Sequence, residues 1–296
     1  MSKLTNTVKQ LFSLKLCRKC SARLIRSSTS LNSFTQSHTD SRSNTPSHLD
    51  SSTSTQSVFQ HIHKVLDTKS AILSKVSHYH FNGLGKAVRP RIVLAAAQAF
   101  NFDEDGRLRV SPDQLVVAMV AEMIHTASLV HDDIIDESLF RRGNPSVFSV
   151  WGQSKGAFTG DYILGAASVS LAKLRHNRVM RIMSQILEDL VQGEFMQLGT
   201  KSNEDERFNH YIEKSYRKTA SLLANSCQAV AVLSGTTESK IKMAFEYGKN
   251  LGISFQLIDD SLDYLSSEKE MGKPTGADLK LGSGHRPRPL RSSRVP

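Results

Sequence analysis

From about residue 57 onward, apolar side chains return at i, i+3 and i+4, the period of a helix that buries one face. The pattern predicts helices over about 57–80, 86–102, 112–138, 157–176, 178–199, 208–235 and 238–267. Turn-forming or polar residues separate them at Asn82-Gly83, Ser111-Pro112, Gly143-Asn144-Pro145, the run 200–206 and Gly235-Thr236. Ser111 before Pro112 has the form of a helix start, because proline lacks an amide hydrogen that the first turn could not satisfy anyway. No convincing strand pattern is present. The stretches VVAMVAEMIHTASLVH and SLLANSCQAVAVLSG are apolar around almost their whole circumference, so each is expected inside a bundle, surrounded by other helices. The expectation is one all-α domain over about 57–282.

Composition changes this picture mainly at the ends. The chain of 296 residues is long enough for a large core, and its net charge is +10. Residues 1–39 hold seven Lys/Arg and no acid, and residues 283–296 hold four Arg and no acid, which leaves the body near neutral. A nucleic-acid surface needs a basic face on the folded domain, so that partner class is not expected. Near the N-terminus Leu4, Val8, Leu11, Phe12 and Leu16 recur at helical spacing among cations. That is the make-up of a mitochondrial transit peptide rather than of a secretory signal, which needs a continuous apolar core. Ser-rich residues 27–57 read as linker, so 1–56 is assigned to leader and linker. No run of 18 apolar residues occurs, and no transmembrane helix is expected. Of three cysteines, Cys17 and Cys20 form a single C-x-x-C in the leader, short of the four ligands of a zinc site, and Cys227 falls in an apolar helical run.

The candidate chemistry lies in two matching acidic clusters. Asp132, Asp133 and Asp136 form D-D-x-x-D in LVHDDIIDESLFRRG, and Asp259, Asp260 and Asp263 repeat it in FQLIDDSLDY. Carboxylates four apart share a helix face. Such a pair suits Mg²⁺, which binds through one or two carboxylates together with substrate phosphate oxygens. One cluster alone would read as a solvated acidic face; two of identical spacing, each after an apolar segment, favour metal and phosphate. A polyanionic substrate then calls for cations nearby. Lys86 and Arg89 in GLGKAVRP, Arg141 and Arg142 after the first cluster, Lys218 beside Thr219, and Lys273 in MGKPTGADL are the candidates.

These motifs carry a resemblance. GKAVRP, EMIHTASLVHDDIIDESLFRRG, GDYILG, GEFMQLG, the Lys218-Thr219 pair, FQLIDDSLDY and GKPTGADLKLG together resemble the trans-isoprenyl diphosphate synthases from about residue 57 to Gly282. The likeness is greatest to the catalytic-type subunit of the mitochondrial long-chain (decaprenyl or solanesyl) polyprenyl synthases. It implies an isoprenoid-synthase-type helical bundle around a central cavity. It implies condensation of isopentenyl diphosphate with an allylic diphosphate, with Mg²⁺ as cofactor and the ubiquinone side chain as the product's use. By the resemblance Asp132, Asp133, Asp136, Asp259, Asp260 and Asp263 hold Mg²⁺. Arg141, Lys218 and Lys273 contact the allylic diphosphate. Lys86, Arg89, His125 and Arg142 bind isopentenyl diphosphate, and Thr219 and Gln256 line the reacting centre. His125 by itself would read as a core histidine; the motif reverses that. Glu194 and Gln197 form a further polar pair near the site, and Asp161 is assigned a structural role. The same resemblance implies a homodimeric core, a heterotetramer with a second polyprenyl synthase subunit, location in the mitochondrial matrix, and peripheral contact with the inner membrane through the lipid product.

Ala127 and Ser128 lie about one turn before Asp132 on the same helix. Small residues there leave room for a growing chain, which predicts a long product. The chain departs from the family after GKPTGADLKLG. Its last 14 residues contain four Arg and three Pro and no helical period, so 283–296 is expected to be a non-family tail and the bundle to lack its C-terminal helices. That predicts a poorly stable or inactive form. A regulatory partner subunit and a terpene cyclase are the rival readings.

Overall fold

The structure is a computed structural model that describes residues 55–82, 85–101, 109–197 and 204–265. The chain divides into two units, residues 1–50 and 51–296, and every described residue lies in the second. The expected leader, the C-x-x-C, Lys273 and the tail therefore lie outside the described residues.

The described residues are almost wholly helical, as the periodicity predicts. The elements are α1 (Thr55–Leu66), α2 (Ala71–His78), α3 (Val88–Phe100), α4 (Pro112–Ile135), α5 (Val147–Trp151), α6 (Gln153–Lys173), α7 (Asn177–Gln197), α8 (Glu204–Ser215), α9 (Ser221–Leu233) and α10 (Glu238–Leu265). The helix expected over 57–80 is two helices, because Ser70 caps a new start at α2 by accepting from the Leu73 amide at 3.4 Å. The helix expected over 208–235 begins at Glu204 and is interrupted by a wide π-helical turn, Tyr216–Ala220, between α8 and α9. Apolar period cannot reveal one extra residue in a turn.

The absence of strands also needs correction. Phe140–Arg141 (β1) and Asn144–Pro145 (β2) form a minimal antiparallel pair, with Phe140 opposite Pro145 and Arg141 opposite Asn144. The two residues between them, Arg142 and Gly143, both have positive φ (53° and 77°), the pattern of a type I′ hairpin turn. Two-residue strands leave no period to read.

Helix α4 is the centre of the bundle. Ser111 and Gln114 cap it reciprocally: the Gln114 amide donates to Ser111 Oγ at 3.2 Å, and the Ser111 amide donates to Gln114 Oε1 at 2.9 Å. Gln114 is fully buried and its Nε2 also donates to the Val230 carbonyl at 3.0 Å, tying α4 to α9. Although α4 has the length and composition of a membrane span, most of its apolar stretch is buried inside the protein, and it is a core helix. Val117, Val120, Met123, Ile124 and Ala127 join Val93 of α3, Ile163 of α6, Met183 and Ile186 of α7, and Val230 of α9 in one core. Helix α9 packs on α10 very closely at Gly248, where a Cβ would meet the Leu223 carbonyl oxygen at 2.5 Å.

Candidate active site

The two aspartate clusters fall at the C-terminal ends of α4 and α10. In the first, Asp132 and Asp136 are one turn apart, with Asp136 exposed and Asp132 partly buried. Burial, then the Glu194 carboxylate, raise the Asp132 pKa to about 6, with Asp136 adding to the rise and Lys218 and Arg141 opposing it. Asp136 is also raised, by burial first and by Glu194, against Lys218 and Arg141. Two acids that resist ionisation beside each other are short of positive charge.

Asp133 does not join them. It is fully buried and takes an ion pair from Arg141, whose Nε donates to Oδ1 at 2.8 Å and whose Nη2 donates to the same oxygen. Asp133 and Arg141, expected as metal ligand and diphosphate contact, are thus joined to each other in this structure. Adjacent residues on a helix point about 100° apart, and here that turn carries Asp133 toward Arg141. Asp133 Oδ2 is buried without a partner.

The second cluster is held from one side. Thr219 Oγ1 donates to Gln256 Oε1 at 2.7 Å, and Gln256 Nε2 donates to Asp260 Oδ1 at 3.0 Å. Tyr211 donates its hydroxyl to Asp260 Oδ2 at 2.5 Å. Asp259 is exposed, and Asp263 follows one turn later on α10. The neighbouring Lys218 turns the other way: its Nζ pairs with Glu194 Oε1 at 2.7 Å and donates to Gln197 Oε1 at 2.8 Å. Lys218 and Thr219, adjacent in the wide turn, thus connect toward different clusters. Gly193 makes this possible, since a Cβ there would meet the Lys218 side chain at 2.7 Å and its backbone nitrogen at 3.2 Å.

The third group is cationic and sits beside the first cluster. Gly85 passes so near Arg142 that a Cβ would meet Nη1 at 2.6 Å, bringing the GKAVRP segment against the hairpin turn. Ala87, between Lys86 and Arg89, adopts a left-handed φ of 47°, as Arg142 does at 53°; both are strained for residues with a Cβ. Lys86 is exposed. Arg89 Nε is buried without a partner, and burial brings the Arg89 pKa down to about 10 despite the opposing Glu122 charge. His125 is held well below the usual histidine range by burial and then by Arg89, Arg142 and Arg141, so it is neutral. Several cations share one partly desolvated place, an arrangement that favours an anion. Ala127 is fully buried in the core, and Ser128 Oγ donates to the His125 carbonyl at 2.8 Å. Asp161 approaches His131 Nε2 at 3.4 Å.

Sequence reading missed four residues here. Glu122 is the one acid in the apolar run of α4, and burial raises its pKa against Arg89 and Arg142. His80 has a buried, unpartnered Nε2, and burial with Arg142 and Arg141 brings its pKa down to about 4. Tyr211 carries no signal beyond lying two turns before Lys218. Asp189 interrupts the buried stripe Val179, Met183, Ile186, Gly193 of α7, which periodicity alone could have flagged.

A hard cation such as Mg²⁺ takes one or two carboxylate oxygens, and its remaining positions go to water and phosphate oxygens. Asp132 and Asp136, partly desolvated and mutually repelling, supply hard oxygen donors of that kind.

The bundle and its paired acidic helix ends define an isoprenoid-synthase-type protein. The polyprenyl synthetase family model matches residues 70–284, and the chain belongs to that family. It is 51% identical over 227 residues to the all trans-polyprenyl-diphosphate synthase of Homo sapiens, covering 77% of this chain and 55% of that protein. It is 39% identical over 267 residues to a probable mitochondrial hexaprenyl pyrophosphate synthase of Neurospora crassa, covering 75% and 60%. The solved heptaprenyl diphosphate synthase of Staphylococcus aureus superposes with a TM-score of 0.68 at 33% identity, over 76% of this chain and 69% of that one. The chain spans about half the length of the curated relatives it matches.

Proposed function

We propose that the protein is a trans-prenyltransferase that condenses isopentenyl diphosphate with allylic diphosphates into a long polyprenyl diphosphate of the kind used for the ubiquinone side chain. The observation that carries this is the wide turn, whose adjacent residues connect to two places: Lys218 to Glu194, whose charge acts on Asp132, and Thr219 through Gln256 to Asp260. Asp132 and Asp136 on α4, with Asp259, Asp260 and Asp263 on α10, would hold Mg²⁺. Bound there, Mg²⁺ supplies positive charge to a departing diphosphate. Lys218, released from Glu194, contacts the allylic diphosphate, and Lys273 is assigned the same role. Lys86, Arg89 and Arg142 bind the diphosphate of isopentenyl diphosphate, and neutral His125 contributes a hydrogen bond. Asp133 serves by orienting Arg141, through a pair that survives only because both charges are buried together. As the allylic C–O bond ionises, these fixed cations stabilise the charge that develops on the leaving oxygen. The double bond of isopentenyl diphosphate then attacks the cation, and a proton is lost. Thr219 and Gln256 line that centre, and small Ala127 and Ser128 give the growing chain room.

The basic, acid-free leader and the mitochondrial relative support location in mitochondria, and we assign the matrix. A homodimeric core, joined by a second polyprenyl synthase subunit, is the proposed assembly, with the lipid product bringing it to the inner membrane. Residues 1–56 are proposed as leader and linker, 57–282 as the catalytic bundle and 283–296 as a tail. The purified chain, given radiolabelled isopentenyl diphosphate, farnesyl diphosphate and Mg²⁺, tests both this reading and the expected inactivity: long polyprenyl products establish the first and refute the second. Product from the allylic diphosphate alone would identify a cyclase. Product formed only after a partner subunit is added would identify a regulatory chain.

A further inference from the structure

The wide turn needs something to hold it open. A π-helical turn has poorer backbone geometry than an α-helix and occurs where function requires it. Its five residues, Tyr216–Ala220, pass between α7 and α10. On the α7 side stands Asp189, 4% exposed. Its Oδ1 accepts from Arg217 Nη1 at 3.1 Å and from Gln185 Nε2 at 3.4 Å, and its Oδ2 accepts from the fully buried Ser221 hydroxyl. Ser221 Oγ in turn accepts from Asn225 Nδ2 at 3.0 Å. Arg217 is fixed further by Glu213, through Nε at 2.8 Å, and by Gln192. One buried carboxylate therefore grips a residue inside the turn, Arg217, and the first residue after it, Ser221. The two residues that point toward the acidic helix ends, Lys218 and Thr219, lie between those grips.

We propose that Asp189 is a positioning residue of the active site: by binding Arg217 and Ser221 together it keeps the turn in the wide register that directs Lys218 toward α4 and α7 and Thr219 toward α10. Asp189 acts through Arg217 and Ser221, which flank Lys218 and Thr219 in the chain. A relaxation of 216–220 to α-helical geometry would remove about one residue from the turn and rotate Lys218 and Thr219 relative to α9 by about 100°. They would then lose Glu194 and Gln256 respectively.

This inference rests on the prenyl-transfer reading for its purpose, but its structural half is testable without it. Full-length wild-type, Asp189→Asn and Ser221→Ala chains should be compared by hydrogen exchange resolved to 216–221, and by titration with inorganic pyrophosphate in excess Mg²⁺. Ser221→Ala removes one grip and keeps the charge, so it serves if Asp189→Asn does not fold. Exchange in 216–221 should rise while α4 stays protected, and pyrophosphate affinity should fall about tenfold or more. Lys218→Ala should weaken pyrophosphate binding too, and combining it with the Asp189 or Ser221 change should add nothing, since both act through one ammonium group. Unchanged exchange in both variants, or fully additive losses with Lys218→Ala, would overturn the proposal. If the wild-type chain binds no pyrophosphate while exchange responds as described, the prenyl-transfer reading fails and the grip on the turn stands.

Discussion

The approach of α10 to the wide turn gives a sharp quantitative test at Gly252. A Cβ built there would lie 2.7 Å from Ala220 Cβ and closer still to Ala220 Cα. Carbon atoms in contact prefer about 3.5–4.0 Å, so the Gly252→Ala protein must move α10 and the turn apart by about 1 Å. Overpacking of this kind costs about 1–3 kcal/mol. Alanine recovers about 1 kcal/mol of helix propensity, leaving a net loss of up to about 2 kcal/mol. In a domain of this size that corresponds to a fall in Tm of up to roughly 8 °C. Gly165 in α6 is the control, because a Cβ there meets nothing within 4 Å. Gly165→Ala should stabilise by about 0.5–1 kcal/mol. The functional consequence separates the two further. Thr219 and Gln256 are joined at 2.7 Å across this contact, and a shift of about 1 Å breaks that bond and costs on the order of 10²-fold in turnover. Thermal melts followed by labelled-product assays read both effects. If Gly252→Ala melts at or above the wild-type temperature with unchanged turnover, the close packing of α10 on the turn is wrong.

Other substitutions probe the remaining parts. Arg141→Ala leaves the fully buried Asp133 carboxylate unpaired and should destabilise by about 3–5 kcal/mol; adding Asp133→Asn should recover much of that loss in a denaturant titration. The Asp132 carboxyl has a folded pKa of about 6 against an ordinary 3.8, so its contribution to stability is present below about pH 4 and is lost as pH rises through about 6. Without Mg²⁺, Asp132→Asn should therefore be the more stable form above that range, by about 2 kcal/mol after allowance for screening, and melts across the pH range check the sign. Ala127→Phe should shorten the polyprenyl product and cost about 1–3 kcal/mol by overpacking a fully buried position; an unchanged product length would remove Ala127 from the elongation path.

Much of this protein was legible in its sequence because helical period and residue spacing are local properties. The all-α class follows from apolar repeats, and the cap at Ser111–Gln114 from two residues three apart. Both D-D-x-x-D runs state which carboxylates share a face without any tertiary knowledge, and the cationic motifs announce a phosphate. What the sequence could not state is which polar group faces which neighbour. It presented Asp132 and Asp133 as equivalents, yet about 100° of helix rotation sends one toward Asp136 and the other into the core against Arg141. It ran one helix through Tyr216–Ala220, where the packing of α7 and α10 and the Asp189 network hold a π-helical turn. The sequence by itself determined the helices and the charges they carry, since both depend on residues close in the chain. Tertiary structure alone decided the direction of each charge, since that depends on burial and on partners 21 to 49 residues away, such as Gln197 for Lys218 and Tyr211 for Asp260.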